Sequence, residues 1–391
     1  MGEKMIYLDN SATTKQYREV TEIMVRYMEE DFGNPSSLYQ LGVDSERAVR
    51  KARKQVKEAM NAGEGDIYFT SGGTEADNMA LMGAARALKR QGNRIVISSV
   101  EHPAVLQCCR RLEREGFDVV CLNVDEKCGI RPEQIEEAVN ADTIIVSIMH
   151  VNNETGTVMP VKYVKEIMKR KNSPGVFHCD AVQSFGKLEL PGEADLISVS
   201  GHKIHGPKGS GALFVRKGIH VEPLLEGGGQ EQGMRSGTEN VPAIAGFGLA
   251  AEMTAAAKEE EMKRLSSLRK SLLEGLRDAL DGVLINSPEM PGEEAGDCCP
   301  SLLNISFENT RGEVILHTLE QEGTYVSTGS ACSSNKKGRS HVLKAMGLKE
   351  KRIEGAIRFS FGRFNTGEEM GEVVEKTAAA VRRFRRLGSF R

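Results

Sequence analysis

The chain of 391 residues is 39% hydrophobic and 27% charged, a balance that excludes disorder, and its length makes two domains the default. A net charge of −3 provides no field favouring nucleic acid or an anionic membrane, so neither is expected as a direct partner. No run approaches the roughly 18 apolar residues of a membrane span, and the N-terminus lacks the apolar stretch of a signal peptide, so a cytoplasmic location is expected.

Between about residues 44 and 251 helical and strand patterns alternate, the signature of an α/β layer structure with a mostly parallel sheet. Strands are predicted at 67–70, 94–98, 118–122, 143–149, 176–179, 195–200 and 212–215, with amphipathic helices at 75–89 and 104–115 among them. From Val241 onward the pattern becomes a long helix in which Met262, Leu265, Leu268, Leu272, Leu276 and Leu280 recur at three- and four-residue steps. It leads into a smaller α/β unit, with strands at 302–307 and 356–361 and helices at 314–319 and 368–387. The expected division is a large domain at 14–253 and a small domain at 254–391 that also takes in 1–13. The basic run ending at Leu387 reads as a helix C-terminus complementing its dipole, or as a patch for RNA or a protein partner.

Eight cysteines at irregular spacing, with no C-x-x-C, suggest neither a disulfide framework nor a metal site. Cys108, Cys121, Cys128 and Cys179 sit in or beside apolar runs and are expected to be packed thiols. The pair Cys298-Cys299 receives no role. Cys332 differs, because its loop is polar.

Several strand ends carry groups suited to chemistry. Ile67-Tyr-Phe-Thr-Ser-Gly-Gly-Thr-Glu-Ala76 reads as a strand, a glycine turn and a helix start. There Ser71 or Thr74 can cap, and the free N–H groups can bind a phosphate, although any strand entering a helix gives this pattern. Glu101-His-Pro-Ala-Val-Leu106 sets His102 just past a strand, where its ring can stack on a cofactor and move protons, or be structural. Met149-His-Val-Asn-Asn-Glu-Thr-Gly156 repeats the placement. In Val176-Phe-His-Cys-Asp-Ala-Val-Gln183, Asp180 closes a buried strand at the edge where open α/β sheets bind ligands. It is either the partner of a protonated pyridine nitrogen or a helix N-cap, and Gln183 can donate to a cofactor's phenolic oxygen. Last comes Ser198-Val-Ser-Gly-His-Lys-Ile-His-Gly-Pro-Lys-Gly-Ser-Gly211, a loop between two strands whose glycines and Pro207 order the backbone around Lys203. Lys203 is a solvated cation or a desolvated amine that forms a Schiff base with an aldehyde cofactor. Convergence of these ends favours the second reading.

Together these residues resemble the pyridoxal-phosphate-dependent cysteine desulfurases of the NifS/IscS type, within the class V aminotransferase branch of fold type I. The likeness covers essentially the whole chain and includes Tyr7-Leu-Asp-Asn-Ser-Ala-Thr-Thr14, Gly33-Asn-Pro-Ser-Ser37, Arg235-Ser-Gly-Thr238 and Ser330-Ala-Cys-Ser333. It implies an α/β protein of fold type I, with a mostly parallel seven-stranded sheet in the large domain and a smaller α/β C-terminal domain. It also implies pyridoxal 5'-phosphate as cofactor, Lys203 as the Schiff-base lysine and Asp180 as the pyridinium partner. Gln183 and Asn153 would lie along the ring edge and His102 on its face. Gly73, Thr74, Ser200 and His202 would hold the phosphate, with Thr238 reaching in from the other subunit of a homodimer. Arg358, helped by Asn34, would meet the substrate carboxylate, for which a planar fork is better suited than a lysine.

The resemblance makes Cys332, in the mobile loop near 328–340, the sulfur acceptor, and the lysines and arginine around it favour a thiolate. The implied reaction turns L-cysteine into L-alanine and leaves a persulfide on Cys332, with His102 as acid or base. Sulfur would then pass to an iron–sulfur scaffold or a tRNA-thiolation enzyme. Competing readings are a selenocysteine lyase, a class V aminotransferase and a non-catalytic sulfur-protein scaffold, and a loop thiol argues against transamination. Lys15 and Tyr39 depart from the family's pattern at positions that carry no chemistry.

Overall fold

The computed structural model describes residues 5–289, 298–328 and 340–388, so Cys332 and its neighbours from 329 to 339 lie outside the described residues. In chain order the strands are β1 (Ile6–Tyr7), β2 (Gly65–Thr70), β3 (Arg94–Ser98), β4 (Asp118–Leu122), β5 (Thr143–Ser147), β6 (Val176–Asp180), β7 (Leu196–Ser200), β8 (Gly211–Arg216), β9 (Val283–Ile285), β10 (Leu302–Phe307), β11 (Thr324–Tyr325) and β12 (Ala356–Ser360). The helices are α1 (Arg18–Glu29), α2 (Gln40–Met60), α3 (Gly73–Leu88), α4 (Pro103–Arg114), α5 (Pro132–Ala138), α6 (Val164–Arg170), α7 (Val241–Ala279), α8 (Gly312–Gln321), α9 (His341–Ala345), α10 (Glu350–Glu354) and α11 (Gly367–Gly388).

Strands β2 to β8 form one sheet in the order β2-β8-β7-β6-β5-β3-β4. β8 runs antiparallel to both neighbours and every other pairing is parallel. All strands except β8 therefore end at one edge, the edge where open α/β sheets bind ligands. β5, β6 and β7 are buried along their whole length, which is why they do not show the strict apolar–polar alternation of a half-exposed strand. The strand predicted to reach 149 stops at Ser147, because Met149 N–H leaves the ladder and donates to the Glu101 carboxylate at 3.0 Å.

One face of the sheet packs under α3 and α4 through residues such as Ile97, Ile145, Leu196 and Leu213. The other packs against α2, α6 and the first part of α7 through Val146, Phe177, Val199 and Phe247. α7 is 39 residues long and serves two cores, since Leu265, Leu268, Leu272 and Leu276 pack instead with β10 and β12. There Arg269, 1% exposed, donates to Leu302 O and Pro288 O at 3.0 and 2.7 Å, so the buried cation is met by carbonyl oxygens. The second sheet is antiparallel, β12-β10-β9, and the N-terminal segment joins it through the β1–β11 pair and an Asp9–Ser360 bridge.

Cys108, Cys128 and Cys179 are buried, but Cys121 is exposed, against expectation. β4 is an edge strand on which only Leu122 is buried. Among the described residues no helix is long and apolar enough to cross a membrane, and no group of His, Cys, Asp and Glu could hold a metal ion.

Candidate active site

The ends of β2, β3, β5, β6 and β7, the N-terminal segment and β12 enclose a cavity of about 200 Å³. Lys203 reaches it from the single 3₁₀ turn, Gly201–Lys203, that follows β7. Its Nζ donates to Ser11 O and to Ala12 O, the latter at 2.7 Å. Those carbonyls are held in place by Thr14, whose N–H and Oγ1 donate to His202 O at 3.0 and 2.9 Å. Thr14 Oγ1 also accepts from His205 N–H at 2.8 Å. The lysine loop and the N-terminal segment thus form one hydrogen-bonded unit.

Asp180, the last residue of β6, is 5% exposed and lines the cavity. Its Oδ1 accepts from Val182 N–H at 2.9 Å, so one oxygen serves the turn as a cap would. Burial pushes this carboxyl up to about 6, with the Val182 N–H and then Lys203 pulling it back. Gln183 donates through Nε2 to Ser11 O at 3.1 Å. Its Oε1, Asn153 Oδ1 and Arg358 Nε have no hydrogen-bond partner among the described residues, and all three residues line the cavity. A buried polar atom left unpaired costs about 1–3 kcal/mol, so the cavity is built for a polar occupant.

α3 starts at Gly73 after Gly72, whose φ of 154° suits glycine. The expected cap from Ser71 or Thr74 is not made: no side chain caps this helix, and Ser71 N–H instead donates to Glu75 Oε2 at 3.0 Å. Glu75 is in turn held by Arg235 at 2.8 Å. A Cβ on Gly73 would meet Val182 Cγ2 at 2.7 Å, which keeps the turn close to the end of β6. The first-turn N–H groups of Gly73 and Thr74, together with Ser200 and His202, border both the cavity and an adjoining depression of about 390 Å³. Bare N–H groups at a helix N-terminus form an anion site.

Two histidines at this site are neutral. Burial, then Lys203 and His341, hold His102 down to about 4, and its Nδ1 accepts from Ala104 N–H at 3.2 Å. Its proton therefore sits on Nε2. His102 thus both caps α4 and lines the cavity. Burial and Lys203 likewise hold His202 down to about 4.

Arg358, 3% exposed on β12, donates to Asn153 O at 2.9 Å and to Asp9 Oδ1 at 2.7 Å. Asn34 and Thr238 are exposed and do not line the cavity of their own chain. Cys332 lies outside the described residues, but both flanks of its segment are anchored near the cavity. Ser327 bridges to Arg358, and Ser340 donates to Glu154 Oε2 at 2.5 Å while capping α9. A larger groove of about 1240 Å³, bordered by Lys127, Arg277 and Arg352, contains none of the groups predicted for the site.

Sequence reasoning missed Asp9, Ser11, Ala12 and Asp77. The first three lie within the Tyr7–Thr14 motif, yet nothing local ties Ala12 to a lysine 191 residues away. Asp77 did leave a signal, a lone carboxylate on an otherwise apolar stripe of α3 with Ala76, Met79 and Ala80.

A family model described as Aminotransferase class-V matches residues 6–373. Cysteine desulfurase IscS of Methanosarcina thermophila is 44% identical over 387 residues, 98% of this chain and 94% of that protein. Cysteine desulfurase IscS 1 of Archaeoglobus fulgidus is 40% identical, covering 98% of each. A solved NifS-like protein superposes with a TM-score of 0.87 at 36% identity, over 99% of this chain and 100% of that one. SspA, solved in complex with cysteine, gives 0.77 at 32% identity, over 92% and 100%. The fold is that of the fold type I enzymes, as the seven-stranded sheet and its smaller companion imply. The chain belongs to the class V aminotransferase family, in the branch that holds the cysteine desulfurases.

Proposed function

We propose that the protein is a pyridoxal-phosphate-dependent cysteine desulfurase that converts L-cysteine to L-alanine and carries the sulfur as a persulfide on Cys332. One observation carries the reading: Lys203, a buried Asp180 and a guanidinium with an unpartnered Nε border one cavity of about 200 Å³. The names of the relatives support cysteine as the substrate.

Pyridoxal phosphate suits this donor set. Asp180 would pair with the pyridine nitrogen, Gln183 and Asn153 would meet the ring edge with their unpartnered atoms, and His102 would cover the face. Gly73, Thr74, Ser200 and His202 would take the phosphate, joined by Thr238 from the other subunit of a homodimer. When bound, the cofactor supplies an electron sink for the charge left at Cα. Lys203 Nζ takes the Cα proton. Arg358, kept in orientation by Asp9 and Asn153 O, holds the substrate carboxylate, with Asn34 assisting. His102 gives and takes protons at Nε2. The Cys332 thiolate attacks the substrate sulfur, so an S–S bond forms while the Cβ–S bond breaks. That electron pair goes to carbon, a proton completes the methyl group, and no external oxidant or reductant is needed.

The two hydrophobic cores served by α7 support a division into domains at 14–253 and at 254–391 with 1–13, across which Val342, Leu343, Met346 and Ala356 pack with the larger core. The sulfur would pass in the cytoplasm to an acceptor protein, an iron–sulfur scaffold or a tRNA-thiolation enzyme. The test is incubation with L-cysteine, assay of alanine and mapping of the persulfide by mass, alongside Cys332→Ser. Alanine with added sulfur on Cys332, and little turnover in the variant, is expected. Equal alanine from Cys332→Ser would remove the thiol from the mechanism, and no alanine from the native protein would remove the activity.

A further inference from the structure

On the sheet face covered by α3, an apolar stripe turns polar toward the strand ends. Ile145, Val176 and Leu196 are each followed two residues on, and so on the same face, by Ser147, His178 and Ser198. All three polar residues are 0% exposed and joined in a chain, Ser147 Oγ to His178 Nδ1 at 2.8 Å and His178 Nε2 to Ser198 Oγ at 2.9 Å. The β6–β7 register sets Ser198 beside Asp180. From α3 above, Asp77 enters at 1% exposure, its Oδ1 lying 3.5 Å from His178 Nε2 and without a hydrogen-bond partner among the described residues. Asp77 and Asp180 both line the cavity.

A pyridine nitrogen needs one carboxylate, and here there are two. Two buried carboxyl groups in one site cannot both ionise, so the pair holds a proton. Asp180 has the Val182 N–H and Lys203 to favour its anion. The ionisable groups around Asp77 are Asp180, His178 and Cys179 on β6, Glu101 after β3, and Cys108 and Cys109 on α4. None is cationic at neutral pH, since burial holds His178 down to about 3. Burial first, and then the charge of Asp180, push Asp77 well up, and the Ser198 hydroxyl only partly opposes them.

We propose that Asp77 is a positioning residue for the cofactor: supported by Ser198 and His178, it keeps the proton of the carboxyl pair and leaves Asp180 facing the cavity as the anion. The assignment deepens the proposed function and rests on it for the identity of the cofactor.

Infrared difference spectra of the purified holoprotein test it, comparing native with Asp77→Asn, Asp77→Ala and Asp180→Asn, with cofactor affinity and visible spectrum taken on the same samples. Asp77→Asn, a neutral isostere of the acid, should lose the carbonyl stretch of one protonated carboxyl and hold the cofactor within about threefold of native. Asp180→Asn should weaken it about a hundredfold, as removal of one partner of a buried charge pair does. Asp77→Ala should shift the visible band, and the asparagine variant should restore it. An Asp77→Asn spectrum that has lost no protonated-carboxyl band, the band of Glu101 being common to both proteins, overturns the assignment, as does an asparagine variant as damaged as Asp180→Asn. An alanine variant with the native spectrum overturns it too. None of these readouts needs turnover, so failure to release alanine from cysteine is a separate result.

Discussion

The two ends of the cavity treat buried charge in opposite ways. At the main-sheet end Asp180 and Asp77 line the cavity, with Glu101 interacting with Asp180 from outside its lining, and for all three carboxyl groups burial outweighs the surrounding donors and pushes them upward. At the β12 end Arg358 meets Asp9 at 2.7 Å, so its charge is matched within the chain. The first end has Lys203 to offset Asp180 in part, and a further cationic group beside Asp180 would complete the balance. The second is balanced beforehand and offers a guanidinium already held in orientation. On the proposed function, affinity for a cofactor and selection of a substrate would thus rest on different physics within one small space.

Removing the anion at the first end should have the largest effect. Asp180→Asn is expected to lower kcat/KM for L-cysteine on the order of a thousandfold, even at saturating cofactor. At the second end, Arg358→Lys replaces a planar fork by a point charge and should lower kcat/KM about a hundredfold, mostly through KM. If kcat falls and KM holds, Arg358 does not grip the ground-state carboxylate and the comparison fails. Asp9→Asn leaves the fork but not its counter-charge, so KM should rise about tenfold with kcat within about twofold.

The pH dependence should separate the ends further. On the proposed function, cofactor binding would need the Asp180 anion, for which protons compete below about 6. Affinity should then fall about tenfold per pH unit, and the slope should vanish in Asp180→Asn. Glu101 tests burial without ligand chemistry. Its carboxyl, pushed from 4.5 up to about 8, binds its proton more tightly folded than unfolded. Its contribution to stability is therefore full below 4.5 and lost as pH rises through about 8. Urea unfolding at pH 6 and pH 9 should show that decline, and Glu101→Gln should reduce it by on the order of a few kcal/mol.

Legibility in the sequence follows the range of the interaction. Lys203 and Asp180 could be placed at strand ends because an apolar run and the polar turn after it are neighbours along the chain. His102 was harder, since a histidine that caps α4 and a histidine that lines a ligand cavity leave the same mark, and here one residue does both. The expected cap from Ser71 or Thr74 failed because α3 begins at Gly73, which puts Gly72, a residue without a side chain, at the N-cap position. Cys121 was read from its apolar neighbours, but exposure depended on β4 lying at the sheet edge, which only strand order decides.

The sequence by itself determined the alternation of strands and helices, the glycine turn before α3, the lysine loop and the family. Each is written in periodicity or turn chemistry over a few residues, where steric and hydrogen-bonding preferences act locally. Only the tertiary structure decided that Ser11 and Ala12 hold Lys203, that Asp9 faces Arg358 across 349 residues, and that Asp77 meets the His178 chain. Those pairings arise when packing brings distant backbone and charge together in a medium that water does not screen, and no local pattern encodes the partner.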